Sequence, residues 1–306
     1  MIFYKTSSFG NDFIEIEEND LPDQAADKCL LAREICDANR AVGADGVVFY
    51  SPCRKAGIPL GDSPGRQAGV PLGDRPRVDG FNFQIHNRDG GEAELSGNGM
   101  AGLAAVLFQR RLASSPLRLH TKSGQRRVVL LGRDGPVFQL EVEIGRADFS
   151  TRQAFPFLKE KQDSYVIDDL KFYPVAVGNH HAVVLCKEEP AAEMLPALGG
   201  KLASHGQFPF GVNVEFVYFS AAEHPPDGTA ALRPASCRVF FYERGVGPTL
   251  ASSTGSAAVF AVLRRLGLVK DHLTIESGVE NIQVNWNDGI FIRNFTRLVC
   301  RGNFYR

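Results

Sequence analysis

The sequence predicts an α+β protein built as two pseudo-symmetric domains, each a curved antiparallel β-sheet wrapped around one central α-helix. Three observations carry this. The chain repeats itself: Ser96-Gly97-Asn98-Gly99-Met100-Ala101-Gly102-Leu103 falls on Ser252-Ser253-Thr254-Gly255-Ser256-Ala257-Ala258-Val259, and Asn87-Arg88 falls on Glu243-Arg244 at the same shift. Most of each half reads as short strands. The segments that begin near Asn98 and Thr254 are apolar almost all round, which marks a buried helix rather than a surface one.

In chain order, apolar and β-branched runs punctuated by Gly, Asp and Asn predict strands at Ile2–Thr6, Asp12–Glu17, Val47–Tyr50, Phe81–His86, Leu117–Thr121, Arg127–Leu131 and Val137–Ile144. The second half repeats the theme at Phe172–Val177, Ala182–Cys186, Val214–Phe219, Arg238–Tyr242, Thr274–Glu276, Ile282–Trp286 and Ile290–Asn294. Helices are expected at Gln24–Ala38, Asn98–Arg111, Ala191–Ser204 and Thr254–Leu266. A shift larger by twelve residues aligns Gly10-Asn11 with Gly178-Asn179, and Gly43 and Asp45 with Gly211 and Asn213. The extra twelve have a visible source, because Ala56-Gly57-Ile58-Pro59-Leu60-Gly61-Asp62 returns as Ala68-Gly69-Val70-Pro71-Leu72-Gly73-Asp74.

A period of half the chain is too long for a solenoid and indicates two related domains. Their expected bounds are 1–134, with the tandem repeat inserted at about 54–77, then 135–285, with 286–306 as terminal strands completing the first domain. A cleft between two such domains is a favoured place for a small-ligand site.

A chain of 306 residues with 44% hydrophobic content can bury two ordinary cores. The net charge is -1, and the basic residues are scattered in short pairs such as Arg110-Arg111 and Arg264-Arg265. That pattern lacks the concentrated stripe of a nucleic-acid binder. No stretch approaches the roughly 20 apolar residues of a membrane span, and the start, Met1-Ile2-Phe3-Tyr4-Lys5, lacks a signal peptide's basic and apolar regions. The expectation is a cytoplasmic protein without membrane or nucleic-acid partners. Its six cysteines show no CxxC pairing, so no metal site is expected.

The two buried helices give their leading loops a chemical meaning. A helix N-terminus presents unpaired N–H groups and a partial positive charge, and a glycine-rich approach lets backbone come close to an anion. Two such ends would hold a carboxylate and leave Ser96 and Ser252 on either side of it.

The segments Phe9-Gly10-Asn11-Asp12-Phe13, Gly43-Ala44-Asp45-Gly46, Asn87-Arg88-Asp89-Gly90-Gly91-Glu92-Ala93-Glu94, Gly97-Asn98-Gly99, Gly178-Asn179-His180-His181, Val212-Asn213-Val214 and Glu243-Arg244-Gly245-Val246-Gly247-Pro248-Thr249-Leu250-Ala251 resemble the diaminopimelate epimerase family in order and spacing. Each piece alone is weak, and their order makes the resemblance specific. It implies a cofactor-independent epimerase that inverts an amino-acid α-carbon, LL- to meso-diaminopimelate, by two-base proton transfer at the cleft between the domains. It also implies a small amino-acid substrate and a homodimer.

In that family two cysteines act as the acid–base pair, and their positions fall here on Ser96 and Ser252. An alcohol is a weaker acid than a thiol by roughly four or five pKa units, which adds about 6 kcal/mol to generating the base. Activity would then need a helper base. His181 and Glu243 are the foremost candidates, with Glu92, His86 and His180 also in the pattern.

Substrate contacts implied by the resemblance are the amides of Asn11, Asn87, Asn179 and Asn213, the backbone N–H groups of Gly97, Asn98, Ser253 and Thr254, Glu243 for the α-ammonium, and Arg244. Arg244 could instead brace Glu243 or Asp89. Two further readings stay open: a lyase or other isomerase on the same scaffold with Glu or His as base, and a catalytically inactive amino-acid-binding homologue.

Overall fold

The computed structural model describes residues 1–21, 27–53, 79–150, 152, 155–157, 162–219, 236–278 and 280–305. The chain forms two compact units, Met1–Val142 with Asn294–Arg306, and Glu143–Arg293. The tandem repeat at 54–77 lies outside the described residues, as do residues 24–26 of the helix expected at Gln24–Ala38.

The first unit runs β1 (Ile2–Ser8), β2 (Asn11–Glu17), α1 (Lys28–Ile35), β3 (Gly46–Cys53), β4 (Gly80–Asn87), β5 (Glu92–Ala93), α2 (Gly97–Gln109), β6 (Leu117–Thr121), β7 (Gly124–Asp134) and β8 (Val137–Gly145), whose last residues enter the second unit. The second runs β9 (Tyr165–Ile167), β10 (Leu170–Val177), β11 (Asn179–Cys186), α3 (Leu195–Ala203), β12 (Asn213–Tyr218), β13 (Ser236–Glu243), β14 (Gly247–Thr249), α4 (Ser253–Arg265), β15 (His272–Glu276), β16 (Asn281–Trp286) and β17 (Ile290–Asn303). The final residues of β17 return to the first unit, where they pair antiparallel with β1.

The duplication read from the sequence holds at the level of strand pairing. In the first unit β1–β2 is antiparallel, β2–β3 parallel, β3–β4 antiparallel, β4–β6 parallel, and β6–β7 and β7–β8 antiparallel. The second unit repeats this order through β10–β11, β11–β12, β13–β15 and on to β16–β17, with parallel pairs at the same two places. The antiparallel sheet expected from the sequence is therefore mixed in detail. Parallel neighbours need a crossover connection, usually helical, and α1, α2, α3 and α4 each supply one.

Matched glycines share a backbone conformation. Gly10 and Gly178, in the turns that lead into β2 and β11, have φ of 78° and 72°. Gly43 and Gly211, before β3 and β12, have φ of 72° and 66°. A Cβ at Gly43 would also lie 2.9 Å from the Cα of Ala38. These left-handed positions explain why glycine recurs there in both halves.

Helix bounds follow local chemistry. The start of α1 is set by Asp27, whose carboxylate accepts the N–H groups of Cys29 at 2.9 Å and Leu30 at 3.2 Å. The expected helix at Ala191–Ser204 begins only at Leu195, with a proline in its first turn, where a missing N–H costs nothing. The strand expected at Ile290–Asn294 continues to Asn303, its outward positions carrying Arg297 and Arg301, which hide it from an apolar reading.

Two layers of core result in each unit. Outside, α1 places Leu31, Ala32 and Ile35 against Ile14, Ile16 and Phe49, while α3 places Leu195, Leu202 and Ala203 against Phe172, Phe208 and Phe216. Inside, α2 is buried from Gly97 to Leu107 and packs against β1, β2 and β7; α4 is buried from Ser253 to Leu263 and packs against β10, β11, β12 and β16. Strands from both ends of each pairing order touch the same helix, so each sheet wraps its helix.

Glu15, on β2, is fully buried and points at α2, accepting the Thr6 hydroxyl at 2.6 Å. A Cβ on Gly102 would lie 2.3 Å from the Glu15 carboxylate and 2.4 Å from Thr6 Oγ1. We expect Gly102→Ala to cost roughly 3 kcal/mol in urea unfolding, as an overpacked core does. Burial raises the Glu15 pKa well above its ordinary 4.5, against the lowering effect of the Thr6 hydrogen bond. A raised carboxyl pKa gives stability that is full below the ordinary value and is lost as pH rises through the folded value. Unfolding midpoints from about pH 5 to about pH 8 should fall more steeply for the parent than for Glu15→Gln, which cannot ionise.

Candidate functional site

Ser96 and Ser252 occupy the same place in the two units, as the N-caps of α2 and α4. Their backbones are extended, with φ/ψ of -142°/116° and -137°/121°. Ser96 Oγ accepts the Gly99 N–H at 3.1 Å, and Ser252 Oγ accepts the Gly255 N–H at 3.2 Å. Serine is among the best residues for this task. Each hydroxyl is thereby held at the positive end of a buried helix.

In the first unit, a buried polar network holds the first turn of α2. Asn294, on β17, donates to Asn98 Oδ1 at 3.2 Å and accepts from Ser8 at 2.6 Å and from Thr296 at 2.7 Å. The Asn98 side chain is thus committed to the scaffold. Asn11 opens β2, its amide 3.5 Å from the carbonyl of Phe9. Asn87 closes β4 in a tight turn, its N–H donating to the Gly91 carbonyl at 2.8 Å and its carbonyl accepting the Gly90 N–H at 2.8 Å. Gly97 is the first residue of α2.

In the second unit, three expected residues come together at α4. Asn179 Nδ2 lies 3.5 Å from Thr254 Oγ1, which lies 3.5 Å from Ser252 Oγ. Ser252, Ser253 and Thr254 are all buried. Asn213 Oδ1 accepts the Arg244 N–H at 2.9 Å. The Arg244 guanidinium donates to the Phe210 carbonyl, so it braces backbone rather than the carboxylate of Glu243 or Asp89. Glu243 ends β13, and its carbonyl accepts the Val246 N–H at 3.1 Å.

The candidate helper groups separate by environment. His180 lies edge-on to Phe155, their centroids 5.9 Å apart, on the aromatic outer side of β11. Glu92 pairs with Lys122 at 3.1 Å, and His86 Nδ1 is 3.0 Å from the Gly90 carbonyl. His181 is fully buried, with Nδ1 2.7 Å from Glu215 Oε1, and Glu215 is buried too. Glu215 was missed by the sequence reading, although its signal was present: a carboxylate inside the apolar run Val214-Glu215-Phe216-Val217.

Among the described residues no group of three His, Cys, Asp or Glu side chains could hold a metal ion, and no helix is long and apolar enough to cross a membrane. Burial, with the Asp45 carboxylate, pushes the Cys36 thiol up to about 12, and burial pushes Cys186 up to about 11. Neither supplies a thiolate near neutrality.

The family model described as diaminopimelate epimerase matches residues 3–150 and 173–290. The chain belongs to the diaminopimelate epimerase family. It is 28% identical over 316 residues to the diaminopimelate epimerase of Carboxydothermus hydrogenoformans, covering 100% of both chains. It is 28% identical over 271 residues to that of Methanothermobacter thermautotrophicus, covering 84% of this chain and 80% of the relative. Among solved structures, a probable proline racemase from Agrobacterium radiobacter K84 shares the fold, with a TM-score of 0.64 at 13% identity, over 99% of this chain and 92% of that one.

Within this diaminopimelate epimerase family member the serines have a measurable structural duty. Ser96→Ala and Ser252→Ala should each cost about 1 kcal/mol in urea unfolding through loss of the cap, and Ser→Asp at either position should recover most of it.

Proposed function

We propose that this family member is an isomerase that inverts the α-carbon of diaminopimelate, LL to meso, without a cofactor, using Ser96 and Ser252 as its acid–base pair. The matched pair of serine-capped, buried helix N-termini carries this reading. The N–H groups of Gly97, Asn98, Ser253 and Thr254 bind the substrate carboxylate and stabilise the charge that builds on it as the α-proton leaves. Asn11, Asn87, Asn179 and Asn213 supply amides that donate and accept to the zwitterionic ends of the substrate. Glu243 takes the α-ammonium. The reading includes a cytoplasmic homodimer.

The serines carry the energetic burden. The roughly 6 kcal/mol needed to make an alkoxide rather than a thiolate is offset only in part by the helix ends, at about 0.3–1 kcal/mol each. A helper base therefore belongs to the mechanism, and His181 and Glu243 are its candidates. A second reading has its own observation: both hydroxyls are already occupied as helix caps, which suits a protein that binds an amino acid without transforming it.

Proton NMR in deuterated buffer with LL- and meso-diaminopimelate separates the two. An epimerase replaces the α-proton by solvent deuterium in both stereoisomers, and the Ser96→Cys/Ser252→Cys double variant should exchange at least about 100-fold faster than the parent, within the ceiling of roughly 10⁴ that 6 kcal/mol allows. Ligand-dependent thermal stabilisation with no exchange in either protein overturns the epimerase reading and leaves the binding one. Release of a new product assigns a lyase.

A further inference from the structure

A cavity of about 550 Å³ opens in the first unit, where the C-terminal end of α1 meets the start of β2, the turn before β3 and the turn after β4. That volume is in the range of small-ligand sites. Its lining holds three cations, Lys5, Arg33 and Arg88, and three carboxylates, Asp12, Asp37 and Asp45. None of the six belongs to the proposed substrate contacts.

The second unit shows that the fold does not require this set of charges. Pro174 pairs with Ala182 where Lys5 pairs with Ile14, so the amine has no counterpart. At the shift that matches Gly43 with Gly211, Asp12 falls on His180 and Asp45 on Asn213. Arg88 falls on Arg244, which is seated against backbone and donates to the Phe210 carbonyl. A Cβ at Gly211 would meet the Arg244 side chain at 2.6 Å, whereas a Cβ at Gly43 would meet Ala38. The seat that Arg244 fills is thus taken in the first unit. Arg88 bonds the Asp45 carbonyl through its backbone N–H at 3.0 Å, and its guanidinium has no hydrogen-bond or ion-pair partner among the described residues.

The remaining lining groups divide into those already answered and those left open. Lys5 Nζ pairs with Asp12 Oδ2 at 3.1 Å, and Asp45 Oδ2 accepts the Asp12 N–H at 2.9 Å. Arg33 commits Nε to the Asp89 carbonyl at 2.6 Å. Asp37 commits Oδ1 to the N–H groups of Asn39 at 2.8 Å and Arg40 at 3.1 Å. Left open are the whole fork of Arg88, the terminal nitrogens of Arg33 and Oδ2 of Asp37. Burial and the Asp45 carboxylate raise the Cys36 thiol while Lys5 and Arg88 pull it down, which places the Arg88 charge over the cavity that Cys36 lines. A guanidinium fork matches a carboxylate, and a carboxylate oxygen accepts from an ammonium. A multiply charged anion would face three carboxylates here, and a simple cation three basic groups. A ligand with one charge of each sign meets a partner at both ends.

We infer that this cavity is a second ligand site, for a free α-amino acid, whose carboxylate is held by Arg88 and Arg33 and whose ammonium is held by Asp37. The inference does not depend on the chemistry of the serines.

The test titrates the ¹⁵N-labelled full-length protein with glycine, L-leucine, L-glutamate and L-lysine, and with propionate, methylamine and inorganic phosphate as single-sign controls. We expect at least one of the amino acids to shift the Gly43 N–H and the Nε–H signals of Arg33 and Arg88 with Kd below about 10 mM, and the controls to bind at least about tenfold more weakly. Arg88→Gln and Asp37→Asn should each weaken that amino acid at least about tenfold. Both variants should keep the parent's urea midpoint, because the Arg88 guanidinium is free and an asparagine oxygen still accepts the Asn39 and Arg40 N–H groups. The inference is overturned if none of the four amino acids shifts these signals, if the shifts are confined to the first turns of α2 and α4, or if Kd is unchanged in the variants. Propionate or phosphate binding as tightly as the amino acid assigns a simple anion site instead. A lower urea midpoint in Arg88→Gln shows the guanidinium engaged by the fold, and this too overturns the inference.

Discussion

A helix buried on every side cannot leave its first N–H groups to water, and this constraint organises both halves of the molecule. Each unit answers it with a serine at the cap and polar strand residues around the first turn: Asn294, Ser8 and Thr296 about α2, and Asn179 about α4. The same polar collar that satisfies the helix end is what an anionic substrate would meet. In the proposed function, fold and site thus draw on one set of groups, and the serines belong to both.

The duplication keeps this frame constant and varies its lining. Both units hold a buried glutamate beside the central helix, but the environments diverge. Glu15 meets a hydroxyl and a glycine, and its burial favours the neutral acid. Glu215 meets an imidazole. Two helix ends of one geometry are therefore set over chemically distinct floors without any difference in fold.

Much of this was legible in the sequence because it was written twice. The serine loops, the left-handed glycines at Gly10 and Gly178, and the all-apolar helices were each visible as matched pairs, and the shared strand pairings follow the same correspondence. What stayed hidden was non-local. The parallel pairs depend on which strands α1, α2, α3 and α4 bridge, not on any strand's own composition. The length of β17 was masked by outward arginines. Glu215 looked like any charged residue on a strand, and only its position opposite Val183 and beneath Gly255 reveals the imidazole beside it. The Arg244 guanidinium turned to the Phe210 carbonyl for a similar reason: that acceptor lies 34 residues away in the chain, in the segment before β12.

The contact at Gly102 reaches beyond local packing. Because the Glu15 carboxyl fills the space where a side chain would stand, α2 is keyed to β2 at Gly102. Ser96 lies six residues before Gly102, about 9 Å along the axis at 1.5 Å per residue. The position of the Ser96 hydroxyl is therefore registered from deep inside the first unit, like a bolt indexed by a notch on its shaft.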